Sequence, residues 1–192
     1  VWQILRFAIP ALCAGNACAV KPAPSVARVS ETLFSLVPKG LPLIGAWLSH
    51  EDTLKAIEDT DAMAFTGSTH TGRLLAAHAG KHLKKTVLEL GGSNPFIILP
   101  DADLQRAAID ACYSRFRDAG QSCNAAKRII VTQDIAEQFI PLFLAECAKL
   151  QTGNPKDPNT TLAPLHRQDL RQTVHEQVQD AVAHGAQCLS GG

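Results

Sequence analysis

Two short stretches of the chain carry residue types suited to covalent chemistry. Glu89 lies within Leu-Glu-Leu-Gly-Gly, and Cys123 closes Gly-Gln-Ser-Cys further along the sequence. A cysteine thiolate attacks electrophilic carbon, and a carboxylate acts as a general base that activates water. Cys123 lies in a polar, glycine-containing turn over 118–124, whereas structural thiols are commoner in apolar segments. Glu89 without its motif would be an ordinary carboxylate at a strand end, so the pair predicts covalent catalysis with a hydrolytic step.

Composition and charge exclude several classes of protein. The 192 residues suffice for one ordinary domain or parts of two, and 46% of them are hydrophobic. Lys and Arg number 18, as do Asp and Glu, so the charge balance predicts no nucleic-acid partner and no anionic membrane partner. No apolar run reaches the length of a transmembrane helix. The start at Val1 lacks a Met and the basic flank of a secretory signal, so we expect a cut end and not a signal peptide.

The cysteines and histidines predict no metal site. The chain has six cysteines and no CxxC pair, and a chain of this size and apolar content needs no disulfides. Four of them lie in apolar segments and are predicted to be buried free thiols, namely Cys13, Cys18, Cys112 and Cys147. Free thiols predict a reducing compartment, and therefore a cytoplasmic location. His78 and His82 are one helical turn apart, but no carboxylate or third histidine accompanies them at helical spacing. We therefore expect two surface histidines.

The periodicity of apolar residues predicts alternating helices and strands. The predicted helices cover residues 2–12, 25–33, 43–48, 51–57, 68–78, 101–116, 134–150 and 170–184. The predicted strands cover residues 17–20, 34–37, 62–66, 86–90, 95–99 and 127–131. Ser25 and Ser68 are predicted helix N-caps, and Pro10 and Pro141 fall inside helical patterns. The alternation predicts an α/β fold with a mostly parallel sheet, and Gly91-Gly92 is the predicted domain boundary.

Several motifs in a fixed order carry a family resemblance. Ala14-Gly15-Asn16 and Lys21-Pro22-Ala23 come first, Phe65-Thr66-Gly67-Ser68 follows, and the Glu89 and Cys123 motifs come last. In this order they resemble the NAD(P)-dependent aldehyde dehydrogenases, most of all the succinate-semialdehyde dehydrogenases. The resemblance implies part of a Rossmann-like cofactor-binding domain over 1–90. It implies the start of an α/β, aldehyde dehydrogenase-like catalytic domain over 91–192.

The resemblance also implies roles for individual residues. Cys123 would attack the aldehyde, hydride would leave to NAD or NADP, and Glu89 would activate the water that hydrolyses the thioester. Coenzyme-A-acylating relatives usually lack this Glu, so its presence favours hydrolysis. The residues implied to contact the cofactor are Lys21, Ala23, Pro24, Gly67, Ser68 and Leu90. On local pattern alone, Ser68 would be read as the cap of an ordinary helix and Lys21 as a solvated side chain.

Two positions bear on cofactor and substrate choice. Pro24 stands where NAD-selective relatives often carry a Glu that binds the ribose hydroxyls, which predicts tolerance of both NAD and NADP. Arg117 precedes the nucleophile where succinate-semialdehyde dehydrogenases have an Arg that pairs with the substrate carboxylate. The alternative for Arg117 is an ordinary surface arginine. The expected substrate is therefore a small aldehyde, namely succinate semialdehyde, which would be oxidised to succinate. The resemblance implies that the full-length relative is a homo-oligomer.

Departures from the family pattern keep a second function open. Relatives carry Pro-Trp-Asn before the segment that begins here at Val1, and that Asn is an oxyanion donor. Their catalytic domain also continues beyond the position of Gly192, and Asp118 stands where they often have Asn. These differences predict that the sequence is a central fragment of the family's chain, inactive or nearly so by itself. The alternative is a catalytically inactive relative that acts as a remnant or an interaction partner.

Overall fold

The computed structural model describes residues 1–191, which fold into two compact units that meet in sequence at Gly91 and Gly92. Each unit is described by itself. The assignment of residues 1–90 to cofactor binding and of residues 91–192 to catalysis stays a prediction.

The first unit alternates short parallel strands with helices. Its elements, in order, are α1 (Trp2–Cys13), β1 (Cys18–Val20), a 3-10 turn (Pro24–Val26), α2 (Ala27–Ser35), β2 (Leu43–Gly45), α3 (His50–Glu58), β3 (Ala62–Thr66), α4 (Thr69–Lys81) and β4 (Lys85–Glu89). β1 pairs with β2 and β3 pairs with β4, both in parallel. Ala8, Cys18 and Leu43 form a buried cluster between α1 and the first strand pair.

The second unit builds its core between two helices and one parallel strand pair. Its elements are β5 (Asn94–Ile98), α5 (Leu104–Phe116), a 3-10 turn (Arg117–Gly120), β6 (Ala126–Val131), α6 (Gln133–Cys147) and α7 (Gln168–Ala183). The buried cluster consists of Ile98, Ala108, Ala111, Ile135 and Phe139. The small alanines let α5 approach its neighbours closely, and the 3-10 turn follows directly at its end.

Side-chain caps determine where three helices begin. Ser49, Ser68 and Asp103 each accept a hydrogen bond from a backbone N–H in the first turn of α3, α4 and α5. Such a cap stabilises a helix by about 0.5–2 kcal/mol relative to alanine. Ser68 was predicted as a cap, and the structure confirms it.

Three local predictions were wrong, all in the first unit. Residues 43–48 were expected to be helical, but β2 begins at Leu43, which pairs with Cys18 and is buried. Residues 34–37 were expected to be a strand, but α2 continues to Ser35. Ser25 lies inside the 3-10 turn and is not the cap of α2, whose N-cap is Val26. Short apolar runs do not distinguish strand from helix. Pairing with β1 makes residues 43–45 a strand.

Residues 1–191 contain no helix with both the length and the apolar character needed to span a bilayer.

Candidate active site

Cys123 follows a backbone turn that is held in a sparsely populated conformation. Asp118 (φ 54°, ψ 39°) and Ala119 (φ 52°, ψ 32°) are both left-handed, and Gly120 follows at φ 73°. Each non-glycine residue in this region costs about 1–2 kcal/mol. A Cβ at Gly120 would collide with the guanidinium of Arg115 and lie 3.0 Å from its carbonyl oxygen. Such strain is typical of functional turns. The close approach of Arg115 explains why position 120 of the motif is a glycine.

Lys127 secures the turn that carries the cysteine. Its Nζ donates to the carbonyl oxygens of Ser122, at 2.8 Å, and Cys123, at 3.0 Å. Ser122 Oγ donates to Asn124 Oδ1 at 2.6 Å. The only sequence signal for Lys127 was a lysine four positions after Cys123.

The Gln121 side chain ties the same turn to a distant loop of the second unit. Its Nε2 donates to the Asp118 carbonyl at 3.0 Å, and its Oε1 accepts from the His166 backbone N–H at 2.8 Å. The glutamine of the motif therefore stabilises the turn through these two hydrogen bonds, which the sequence pattern alone did not predict.

Cys123 is exposed, whereas three other thiols are at least partly buried. Cys18 and Cys112 are buried and Cys147 is half-buried, as predicted, but Cys13 is exposed because it ends α1 at the surface. Burial raises the pKa of the Cys18 and Cys112 thiols, and it raises that of Cys147 to about 11, with nearby Cys112 adding to the shift. These three groups therefore stay protonated near neutral pH.

The thiols should differ in their rates of alkylation. Because the thiolate is the nucleophile, a raised pKa lowers the reactive fraction at any given pH. With iodoacetamide near neutral pH, we expect fast labelling of the exposed thiols Cys13, Cys123 and Cys188 and slow labelling of Cys18, Cys112 and Cys147. Peptide mass spectrometry over a time course measures this. Labelling of Cys147 as fast as that of Cys188, an exposed internal control, would contradict the burial pattern.

Arg117 lines a cavity beside the turn that carries Cys123. The cavity has a volume of about 190 Å³ and is bounded by Tyr113, Ser114, Arg117, Ser122, Asn124 and Ala125. Arg117 is exposed at the end of α5. An exposed guanidinium at such a cavity is suited to a carboxylate ligand.

Glu89 ends β4 and faces a groove in the first unit. The groove has a volume of about 340 Å³ and lies between α1 and the ends of β3 and β4. Glu89 Oε1 is 2.9 Å from Arg6 Nη2, and both side chains are nearly half exposed. An exposed pair of this kind contributes about 0–1 kcal/mol to stability, so its main effect is to orient the carboxylate. No sequence motif connects Arg6 to Glu89, so this pair was not predicted.

Gly67, Ser68 and Leu90 come together at the carboxyl ends of β3 and β4. The Gly67 N–H donates to the Glu89 carbonyl at 3.0 Å, and Ser68 Oγ accepts from the Thr71 N–H at 3.2 Å. A Cβ at Gly67 would lie 2.5 Å from the Phe65 ring. Gly72 has no Cβ, which leaves room for the Leu90 side chain.

The start of α4 is suited to a phosphate. Within the described residues, the N–H groups of Thr69 and His70 donate no hydrogen bond, and they open onto the positive end of the helix dipole. These residues therefore fit the pyrophosphate of a dinucleotide.

Lys21, Ala23 and Pro24 follow β1 directly. Lys21 is half-buried, and Ala23 and Pro24 are exposed at the start of the 3-10 turn. The carboxyl end of a parallel strand is where α/β proteins place ligands, so this position fits the proposed cofactor role.

Comparison with known proteins identifies the group to which this fold and these motifs belong. The aldehyde dehydrogenase family model matches residues 1–192. The chain belongs to the aldehyde dehydrogenase family, which confirms the predicted resemblance and fold class.

Several relatives are succinate-semialdehyde dehydrogenases. The chain is 40% identical to the NAD(P)+ enzyme Sad of Escherichia coli K12 and 41% identical to the NADP(+) enzyme 1 of Mycobacterium bovis BCG. Each match covers 100% of this chain and 43% of the relative. The crystal structure of succinic semialdehyde dehydrogenase from Streptococcus pyogenes in complex with NADP+ superposes with a TM-score of 0.92 at 34% identity, over 99% of this chain and 43% of that one. The chain thus spans less than half the length of these relatives.

Proposed function

We propose that the protein oxidises an aldehyde to a carboxylic acid with NAD(P), using Cys123 as the nucleophile. The observation that carries this proposal is an exposed cysteine on a strained, glycine-dependent turn in a member of the aldehyde dehydrogenase family. NAD(P), when bound, supplies the acceptor for the hydride.

Cys123 performs the first half of the reaction. Its thiolate attacks the aldehyde carbon, forming a C–S bond and placing the negative charge on the former carbonyl oxygen. No acceptor among residues 1–191 takes the Cys123 backbone N–H, which is therefore free to donate to that oxygen. Loss of hydride from the carbon leaves a thioester on Cys123.

Glu89 performs the second half. Its carboxylate takes a proton from water as the oxygen attacks the thioester carbon, and the C–S bond breaks to release the acid and the Cys123 thiolate. Arg6 holds one carboxylate oxygen at 2.9 Å, which leaves the other free to accept this proton.

The cofactor-binding residues are proposed to accept both NAD and NADP. Pro24 is exposed and uncharged, so it presents no carboxylate to repel a 2′-phosphate. We expect NAD and NADP to bind with affinities within about tenfold of each other, since no charged group at this position discriminates between them. Fluorescence titration of each cofactor measures this. Pro24→Glu is expected to weaken NADP only, and detectable NAD binding without NADP binding in the unvaried protein would refute the proposal.

The proposed substrate is succinate semialdehyde, because Arg117 at the 190 Å³ cavity can pair with its carboxylate. Arg117→Ala is expected to lower kcat/KM for succinate semialdehyde by about ten- to a hundredfold, the value of a charge-assisted pair. Activity with butanal, a neutral aldehyde of similar length, should change little.

Steady-state kinetics with both aldehydes test this assignment. Arg171→Ala, which removes an exposed arginine from α7, is the matched control. Equal losses with the two aldehydes would assign Arg117 a structural role.

The overall proposal is tested by following reduced cofactor on addition of aldehyde to protein purified at its natural length. Formation of NADH or NADPH together with the carboxylic acid supports it. A protein that binds cofactor but forms no acid from any aldehyde would leave the inactive-relative alternative standing.

A further inference from the structure

Three potential metal ligands meet at one end of the α3 and α4 helices. Glu58 is the last residue of α3, His78 lies in the last turn of α4, and His82 follows α4 directly. Glu58 Oε1 is 3.0 Å from His78 Nε2 and 3.6 Å from His82 Nε2. All three ligand atoms lie within 4.8 Å of one another. The sequence showed only the two histidines, because Glu58 precedes His78 by 20 positions and reaches it through the packing of α3 on α4.

The geometry is close to that of a tetrahedral metal site. Zinc–nitrogen and zinc–oxygen distances of about 2.0–2.2 Å place neighbouring ligand atoms about 3.3–3.5 Å apart. The distances from Glu58 Oε1 to the two histidine nitrogens, 3.0 and 3.6 Å, lie on either side of this range. The imidazole centroids are 4.9 Å apart and tilted by 39°, and the Nε2 atom of each ring lies near the same Glu58 oxygen. Water would complete a fourth position.

The surrounding charge favours a cation. α3 ends at Glu58 and α4 ends at Lys81, so the negative ends of two helix dipoles lie beside the cluster. His78 Nε2 also lies 3.2 Å from the Leu54 carbonyl oxygen. In the metal-free protein this nitrogen can donate its proton to either oxygen; on metal binding the neutral ring carries the proton on Nδ1 instead.

We propose that Glu58, His78 and His82 bind a divalent transition-metal ion of the zinc type. Two imidazole nitrogens and one carboxylate oxygen suit Zn²⁺, whereas Mg²⁺ and Ca²⁺ prefer oxygen ligands alone. The ion joins the end of α3 to the end of α4. This site is separate from the proposed aldehyde chemistry and replaces the expectation of two unassociated surface histidines.

The test is calorimetric titration of the purified protein with Zn²⁺. Exposed thiols also bind zinc, so Cys13, Cys123 and Cys188 are first blocked with iodoacetamide. The thiol-blocked protein is expected to bind one equivalent of Zn²⁺ and no Mg²⁺. His78→Gln and His82→Gln should each weaken zinc binding by at least about a hundredfold, since even residues that only support a ligand contribute ten- to a hundredfold.

His70→Gln, at the opposite end of α4, is the matched control and should bind as the unvaried protein does. Circular dichroism establishes that each variant is folded. If His78→Gln disturbs the packing on α3, the exposed His82 and the variant Glu58→Gln still decide the question. Absence of zinc binding after thiol blocking, or equal affinity in the His82→Gln and His70→Gln proteins, would overturn the proposal.

Discussion

Cys123→Ser is expected to lower kcat for aldehyde oxidation by at least about a thousandfold, because a serine hydroxyl at neutral pH is a far weaker nucleophile than a thiolate. The substitution is nearly isosteric and the side chain is exposed, so the turn from Asp118 to Gly120 that precedes it should persist. Cofactor affinity should therefore be unchanged. Stopped-flow detection of reduced cofactor should show neither a burst nor a steady rate.

Cys188→Ser is the control for this experiment, since Cys188 is also an exposed free thiol. It should retain full activity. Comparable activity in the Cys123→Ser and Cys188→Ser proteins would remove Cys123 from the mechanism and with it the thioester route.

Glu89→Gln is expected to separate the two halves of the reaction. The amide cannot accept a proton from water, and loss of a general base typically costs about a hundred- to ten-thousandfold. Thioester formation does not use this carboxylate in the proposed mechanism. We therefore expect a burst of reduced cofactor equal to the number of active sites, followed by a steady rate lowered by that factor.

The matched control for this substitution is Glu137→Gln, which neutralises an exposed carboxylate on α6. It should leave both phases unchanged. A Glu89→Gln protein that lacks the burst would show that Glu89 acts before the thioester forms. The ion pair with Arg6 would then be the first feature to reconsider, because its loss leaves Arg6 without its partner.

Most of the secondary structure could be predicted from local pattern, and the exceptions share a cause. β3 and α4 were predicted closely because alternation and the Ser68 cap are strong local signals. β2 was mistaken for a helix because it is three residues long and its strand character comes from pairing with β1. In such short segments the partner strand supplies the hydrogen bonds. Because that strand lies far away in the sequence, the residues around β2 do not indicate it.

The candidate site divides in the same way. Cys123, Glu89, Gly67 and Ser68 could be predicted as site residues because their proposed roles depend on residue type within a short motif. Lys127 could have been suspected from its closeness to Cys123 in sequence, but its hydrogen bonds to two carbonyls depend on how the turn is folded. Arg6 is far from Glu89 along the chain, so only folding brings the two together.

The sequence by itself determined the family and the alternating α/β character, and it predicted Cys123 as the nucleophile, because each depends on residue type and on spacing within a few turns of chain. The tertiary structure decided which thiols are shielded, how Arg6 pairs with Glu89, and that Glu58 joins His78 and His82. These features depend on contacts between residues well separated in sequence, and such contacts form only when helices and strands pack to bury apolar surface.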